Sequence, residues 1–401
     1  MANVSSSNGL EKRPKLRFPG FDEPYRAIKL GQISSLIKRN DPRSNAPIMM
    51  LSAGNGFIMQ SDKYSRDNAG QSLKKYTLLK KGELAYNHGA SKVKQFGCCY
   101  ELREEEARIP YVYHCFKVQG TEYTPYVALE LNNTKMDKQL KRLVSSSVRM
   151  DGLLNISYDE YMSVVVYLPA YAEQKHIADF LEKLDMRIAK QEQLIESLKK
   201  YKRGAVDAIL SRKLIIHKTS PWSEMKISDL FSPISEKGHG ELTVLTIVQG
   251  IGTQPRDSVD RRISYDKSTT NTYKRVCKND FILHLRSFEG GLEIANSEGI
   301  VSPAYTILRA KREIVPMFYY AYFRSYWFIS NKLRIAVEGI RDGKSINMDT
   351  FWNILVPCPS IEEQHYIAEY LHHLDARTSK EEALLARLQM IRSGFMQQLF
   401  I

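Results

Sequence analysis

The sequence predicts an α+β chain in which two similar globular regions alternate with two long helices. Three observations carry that prediction. A helical stretch occurs twice, the regions in front of it share a weaker repeat, and both regions mix strand-like runs with short helical ones. An internal repeat fixes architecture before any finer reading.

The helical stretch runs from Pro169 to Leu210 and returns from Pro359 to Phe400, 190 positions later. Glu173/Glu363, Gln174/Gln364, Ile177/Ile367, Ala178/Ala368, Leu181/Leu371, Leu184/Leu374 and Asp185/Asp375 coincide. In the first copy Ile177, Leu181, Leu184, Ile188, Ile195 and Leu198 step by fours and threes. In the second, Ile367, Leu371, Leu374, Leu385, Leu388, Phe395 and Leu399 keep the same frame. A narrow seam of that period faces one or two partner helices. Polar residues interrupt it at Gln191, Thr378 and Glu381, which weakens pairing but fixes register. A proline ahead of each copy suits a helix start, and Glu173 and Glu363 suit the positive end of the helix dipole. A helix of about 39 residues spans ~58 Å, more than a small domain, so the helices read as spacers.

The chain has 401 residues, enough for two to four domains. Its 43% hydrophobic content supports real cores. Lysine and arginine number 58 against 45 acidic residues, a net charge of +13 that points to a polyanion, nucleic acid before membrane surface. The five cysteines, Cys98, Cys99, Cys115, Cys277 and Cys358, form no CxxC pair, so neither a zinc ribbon nor a disulfide framework is indicated. The sequence has no long apolar run and its first residues lack a signal peptide's apolar core, so a soluble, cytoplasmic protein without membrane partners is expected.

Taken in order, residues 1–24 form an arm. Residues 1–13 are polar and expected to be disordered; Pro14–Phe21 (PKLRFPGF) reads as an extended segment laid on a surface. The first globular region, 25–168, opens on YRAIKLGQI. The second, 215–356, opens on WSEMKISDL, 197 positions later from Tyr25 to Trp222. Lys81-Gly82-Glu83-Leu84 and Lys278-Asn279-Asp280-Phe281 keep that offset. The long helices occupy 169–214 and 357–401. Strand-like runs are 110–118, 161–168, 243–248, 280–285, 305–308 and 353–356; helical pieces are expected at 95–108, 135–145 and 317–333. Close copies of the helix beside divergent globular regions suggest one scaffold carrying two specificities.

The layout resembles the specificity subunit (HsdS) of type I restriction–modification systems. The resemblance rests on PKLRFPGF before a KLG-type start, on Glu173-Gln174…Ile177-Ala178…Leu181…Leu184-Asp185 with its second copy from Glu363 to Asp375, and on the RDGKSIN…PCPS ending of the second region. It covers nearly the whole chain. Thr378, standing where Ile188 does in the first copy, departs from the pattern. The resemblance implies two target-recognition domains, each reading half of a split site in double-stranded DNA. It implies that the long helices pack as an antiparallel coiled coil in a pseudo-twofold arrangement. It further implies that two modification (HsdM) subunits, carrying S-adenosylmethionine and the methyltransferase chemistry, dock on this chain, and that restriction (HsdR) subunits join them. No cofactor or metal is expected on the chain itself.

Phosphate contacts come from lysine and arginine, and base readout from arginine, asparagine, glutamine, serine and threonine. In the first region the candidates are Lys74, Lys75, Tyr76, Asn87, His88, Ser91 and Lys92. In the second they are Arg261, Arg262, Lys267, Thr270, Asn271 and Lys274, then His284, Arg286 and Ser287, and a third patch at Arg341 and Lys344. Each taken singly can equally be a solvated surface residue.

Fragments of catalytic motifs fail on inspection. Gly343-Lys344-Ser345 lacks the phosphate-loop glycine, because position 338 is Glu. Gly250 and Gly252 begin a dinucleotide fingerprint that Pro255 breaks. Ser302-Pro303-Ala304-Tyr305 has Ala304 where an SPPY-type methyltransferase motif has proline. His372 and His373 are adjacent and lack convergent ligands. A non-catalytic DNA-recognition and scaffold subunit is therefore expected. The alternatives are a self-contained DNA methyltransferase, which needs a cofactor loop, and a coiled-coil interaction protein without a DNA role, which leaves the repeated globular regions unexplained.

Overall fold

The structure, a computed structural model, describes residues 2–3, 13–63, 70–89, 91–92, 94–144, 154–217, 221–259, 267–284, 291–339 and 345–401; at 2–3, 70–71 and 267–268 it describes backbone only. The chain divides into two units, Met1–Gln191 with Leu384–Ile401, and Glu192–Ala383. Both long helices are continuous, at Tyr171–Leu210 and Ile361–Gln398, so each contributes to both units.

In the first unit the strands Ser34–Leu36, His114–Val118, Leu84–Asn87 and Cys98–Glu101 form an antiparallel sheet in that order. Three two-stranded ribbons surround it: Thr77–Lys80 with Glu106–Ile109, Met49–Ser52 with Gly56–Met59, and Arg26–Lys29 with Val165–Leu168. The last ribbon joins the region's first strand to its final one, immediately before the long helix. Leu84, Phe116, Tyr126, Tyr161 and Val166 fill the core, with Tyr86 and Tyr161 stacked at 3.8 Å. Ile177 and Leu181 of the first long helix and Leu399 and Phe400 at the end of the chain belong to the same core.

The second unit builds the same topology from different residues. Its sheet runs Phe231–Ile234, Tyr305–Ala310, Phe281–His284, Glu293–Ile294. Its ribbons are Lys274–Val276 with Gly299–Val301, Leu245–Val248 with Gly252–Pro255, and Ser223–Lys226 with Leu355–Cys358. Even an isolated parallel bridge recurs, Ile48 with Arg108 in one unit and Val244 with Ile300 in the other. Ile367 and Leu371 of the second long helix pack in this unit's core beside Phe231, Phe318 and Phe351.

The helices run antiparallel within each unit. In the first, Phe180 meets Phe395 edge-on at 4.9 Å and Arg392 forks onto Asp185, its Nη2 3.0 Å from Oδ2. In the second, Lys199 pairs with Glu382 and Lys202 with Asp375. The expected seam is only partly a helix–helix seam. Ile177, Leu181, Ile367 and Leu371 are buried because they plug globular cores, whereas Leu184, Ile188, Leu198, Leu374, Leu385 and Leu388 are half-buried.

Other expectations need correcting. Residues 95–108 hold no helix; they contain the strands Cys98–Glu101 and Glu106–Ile109, whose partners Leu84–Asn87 and Thr77–Lys80 impose an extended backbone. The stretch 317–333 is helical but broken: Pro316–Phe323 is followed by a π-turn at Phe328–Lys332 and a 3₁₀ turn at Leu333–Ala336. Within 1–13, Ala2–Asn3 pairs with Leu16–Arg17 as a two-residue ribbon. The helix expected at 135–145 is present as Thr134–Leu143, and the arm does lie on a surface: Phe18 packs against His176 at 4.4 Å and Phe180 at 5.4 Å.

Candidate nucleic-acid interface

In each unit the chain after the first sheet strand crosses in front of a short 3₁₀ turn. Leu78 N–H donates to the Arg39 carbonyl at 2.8 Å, and Arg275 N–H donates to the Glu236 carbonyl at 2.8 Å, the same contact 197 positions on. In the first unit Asn40 Nδ2 adds a bond to the Lys74 carbonyl at 3.2 Å. Arg43 N–H donates to the Asp41 carboxylate at 2.9 Å, an Asx turn that closes the Asp41-Pro42-Arg43 tip. The result is one exposed basic rim of Lys38, Arg43, Lys74 and Lys75, with the Lys75 ammonium 5.9 Å from the exposed Tyr111 ring. Lys38, Arg43 and Tyr111 were absent from the candidates read in sequence; only the fold brings them beside Lys74.

The second unit's rim is tighter. Asn271 accepts from Gly238 N–H through its carbonyl at 3.0 Å and from Gly240 N–H through Oδ1 at 3.1 Å. A Cβ on Gly240 would lie 2.5 Å from Asn271 Oδ1 and 2.9 Å from Thr270 Oγ1, so a side chain there would push the Asn271 amide out of this clasp. This clasp presents the exposed Lys237.

Several candidates turn out to be structural. Tyr76 and Thr270 are buried. His88 is 6% exposed, its Nδ1 2.8 Å from the Leu154 carbonyl and its Nε2 3.0 Å from the Val112 carbonyl, so its polar atoms face the interior. Lys274 is half-buried with Nζ 2.6 Å from the Tyr305 carbonyl; burial, and Lys237 nearby, lower its pKa. Asn271 is exposed but committed to the clasp, and Asn87 caps its own loop by accepting from Gly89 N–H at 2.9 Å. Lys74, Lys75, Ser91 and Lys92 remain exposed. His284 ends its strand half-buried with its ring 5.2 Å from that of Tyr305. Arg261, Arg262, Arg286, Ser287, Arg341, Lys344 and the side chain of Lys267 lie outside the described residues.

The duplicated Glu-Gln pairs explain themselves locally. Glu173 is fully buried, receiving Arg17 Nε at 2.9 Å and Nη2 at 2.7 Å, with the Tyr25 hydroxyl at 3.3 Å. Glu363 is equally buried and paired with Arg212, whose guanidinium stacks on Trp222 at 4.5 Å. Gln174 accepts from Tyr123 N–H and donates to the Pro169 carbonyl; Gln364 does the same with Val315 and Pro359. These residues fasten each long helix to the globular region it follows.

Three of the thiols, Cys98, Cys99 and Cys115, are buried in the first unit. Burial pushes Cys98 up to about 11 and Cys115 up to about 12, and Cys99 higher still. Among the described residues no group of three His, Cys, Asp or Glu side chains could hold a metal, and no helix is long and apolar enough to cross a membrane.

The family description "Type I restriction modification DNA specificity domain" matches residues 258–390. The chain is 24% identical over 282 residues to the type I restriction enzyme EcoBI specificity subunit of Escherichia coli, an alignment covering 58% of this chain and 57% of that protein. It thus spans little more than half the length of that curated relative. Its fold is similar to the S subunit of a type I restriction–modification system from M. genitalium, with TM-score 0.54 and 14% identity over 97% of this chain and 99% of the other. A second similar structure comes from work on assembly and conformational transition of the type I R-M system, with TM-score 0.58 and 13% identity over 96% and 99% of the two chains.

Proposed function

We propose that this chain belongs to the specificity-subunit family of type I restriction–modification systems and is the DNA-reading and scaffolding component of such a complex. Each globular region reads one half of a bipartite site in double-stranded DNA. The long helices set the spacing of the two halves and dock two modification subunits. S-adenosylmethionine and the methyl-transfer chemistry reside on those subunits, and restriction subunits join the same assembly. The chain itself supplies recognition and no turnover.

The observation that carries this reading is one topology built twice with unlike rims. The same strands, ribbons and parallel bridge recur. Yet one rim presents Lys38, Arg43, Lys74 and Lys75, and the other presents Lys237 over a glycine–asparagine clasp. Shared scaffolds with different exposed side chains suit two readers of different half-sites, since base-edge contacts specify and phosphate contacts position.

Co-expression with modification subunits, followed by sequencing of methylated genomic positions, tests it. A single two-part motif with an unread spacer is the expected result. Methylation that is unchanged when this chain is omitted overturns the proposal. Titration of the purified chain with S-adenosylmethionine separates the main alternative: saturable binding of the methyl donor to this chain alone is the behaviour of a self-contained methyltransferase.

A further inference from the structure

We propose that the exposed face of helix Thr134–Leu143 is a second phosphate-gripping surface of the first region, beside its loop rim. This inference rests on the DNA reading above. The helix begins at Asn133, whose Oδ1 accepts from Lys135 N–H at 2.9 Å and Met136 N–H at 2.8 Å. Met136 and Leu140 bury one side. Lys138, Lys141 and Arg142 fall on the other side at spacings of three and four and are exposed. None of these three takes part in an ion pair among the described residues. The Lys135 ammonium, half-buried with Nζ 2.5 Å from the Phe400 carbonyl, has its pKa lowered by burial first and by Lys15 of the arm and Lys138, against Glu130. The helix's one acid, Asp137, is half-buried and has Lys94 near it. Lys94 Nζ in turn reaches the Asn132 carbonyl at 2.5 Å, which ties this helix to the loop bearing Ser91 and Lys92. That bond places the loop beside the start of the basic helix.

The second region supplies an internal control. Its counterpart, from Tyr326 to Ala336, exposes Tyr326, Trp327, Ile335 and Arg334, and its Lys332 pairs with Glu224 and sits 5.2 Å over the Trp327 ring. A basic face kept merely for solubility would serve both copies. A cluster present in only one copy, without ion pairs among the described residues and next to the loop of the candidates Ser91 and Lys92, fits the phosphate backbone flanking one half-site. Lysine and arginine at this spacing neutralise phosphates without reading bases.

The test replaces Lys138, Lys141 and Arg142 together with glutamine in the full chain and measures binding to a mixed-sequence duplex between 50 and 200 mM salt. The steepness of log affinity against log salt should fall by about 2 to 3, since each neutralised phosphate contributes roughly 0.9. The methylated motif of the assembled complex should stay the same. A second triple variant, Lys190→Gln, Lys200→Gln and Lys213→Gln, removes equal charge from elsewhere and should leave the slope unchanged. An unaltered slope in the first variant, or an equal fall in both, overturns the assignment while leaving the DNA reading intact. Failure of the unmodified chain and complex to bind duplex DNA removes the reading itself.

Discussion

Glu173 and Glu363 are carboxylates with almost no exposure, and each persists there because an arginine that itself lies against an aromatic ring reaches it. Arg17 and Arg212, from the segments preceding each region, supply the partners, with Tyr25 and Trp222 at the start of each region against the guanidinium. Removing one member of a fully buried pair leaves the other uncompensated, which costs about 3–5 kcal/mol. Arg17→Ala should therefore lower the urea midpoint of the first unit, followed by far-UV circular dichroism, and Arg17→Ala with Glu173→Gln should recover part of the loss. Because Trp222, Trp327 and Trp352 all lie in the second unit, tryptophan fluorescence should barely register either variant. A second buried acid behaves differently. Burial pushes Glu130 up to about 8, against relief from Tyr167 N–H, Lys135 and Asn133. Its folded pKa thus lies above its unfolded one, so the folded chain holds more protons between about 4.5 and 8. Stability attributable to this group is complete below that window and falls as pH rises through it. Glu130→Gln should flatten the decline in unfolding free energy between pH 5 and pH 8 measured by denaturant titration; a slope equal to the parent's rules the assignment out. Glu83 and Asp280 show how duplicated sites drift. Both are buried and cap the same turn, accepting from Lys80 N–H and Cys277 N–H, yet one is paired by Arg39 and the other by Arg309. Glu236 occupies the position equivalent to Arg39, so the charge that Asp280 requires arrives from another strand.

At the scale of elements, the helices were legible because their period is written in the residues. Which partner each apolar position meets was not. Ile177 and Leu181 share a frame with Leu184 and Ile188, but the first two enter a globular core and the latter two stay half-buried. Periodicity gives a face, and only the fold says what covers it. The stretch 95–108 failed for a related reason. Its run of glutamates favours helix locally, whereas cross-strand pairing and the burial of Cys98, Cys99, Ala107 and Ile109 hold it extended. The site was legible only in outline. Lys74 and Lys92 could be chosen from charge, while His88 and Tyr76 could not be excluded without knowing which way their strand ends face. Thr378 is the element-scale weak point. It takes the place of Ile188's counterpart, is half-buried, and returns its hydroxyl to the Leu374 carbonyl at 2.9 Å. Such back-bonding slightly destabilises a helix. Thr378→Ile should raise the stability of the second unit by about 1 kcal/mol, judged from one further buried methylene equivalent. Thermal unfolding followed by tryptophan fluorescence measures it. The exposed Lys202–Asp375 pair should matter less, within about 0–1 kcal/mol for Lys202→Ala.

On the scale of the whole molecule, the repeat separates what is kept from what varies. The helix starts, the Glu–Gln fastening and the sheet order are common to both copies. The rims, the basic helix of the first region and the aromatic one of the second are not. If recognition follows the variable parts, exchanging residues 25–168 for the corresponding region of a type I specificity subunit should change one half of the methylated site and leave the other half untouched. The fold restricts how the exchange is made. Tyr25 touches Glu173 and the Leu399 carbonyl, Tyr126 stacks on Phe400 at 5.4 Å, and Tyr123 N–H is held by Gln174. A graft lacking equivalents at these three positions should lose the first unit's stability before specificity can be read. One that retains them, with the arm from Pro14 to Phe21 left in place, should fold and methylate a hybrid motif. Sequencing the methylated positions distinguishes the outcomes: a motif altered in both halves, or in neither, places recognition outside the exchanged region.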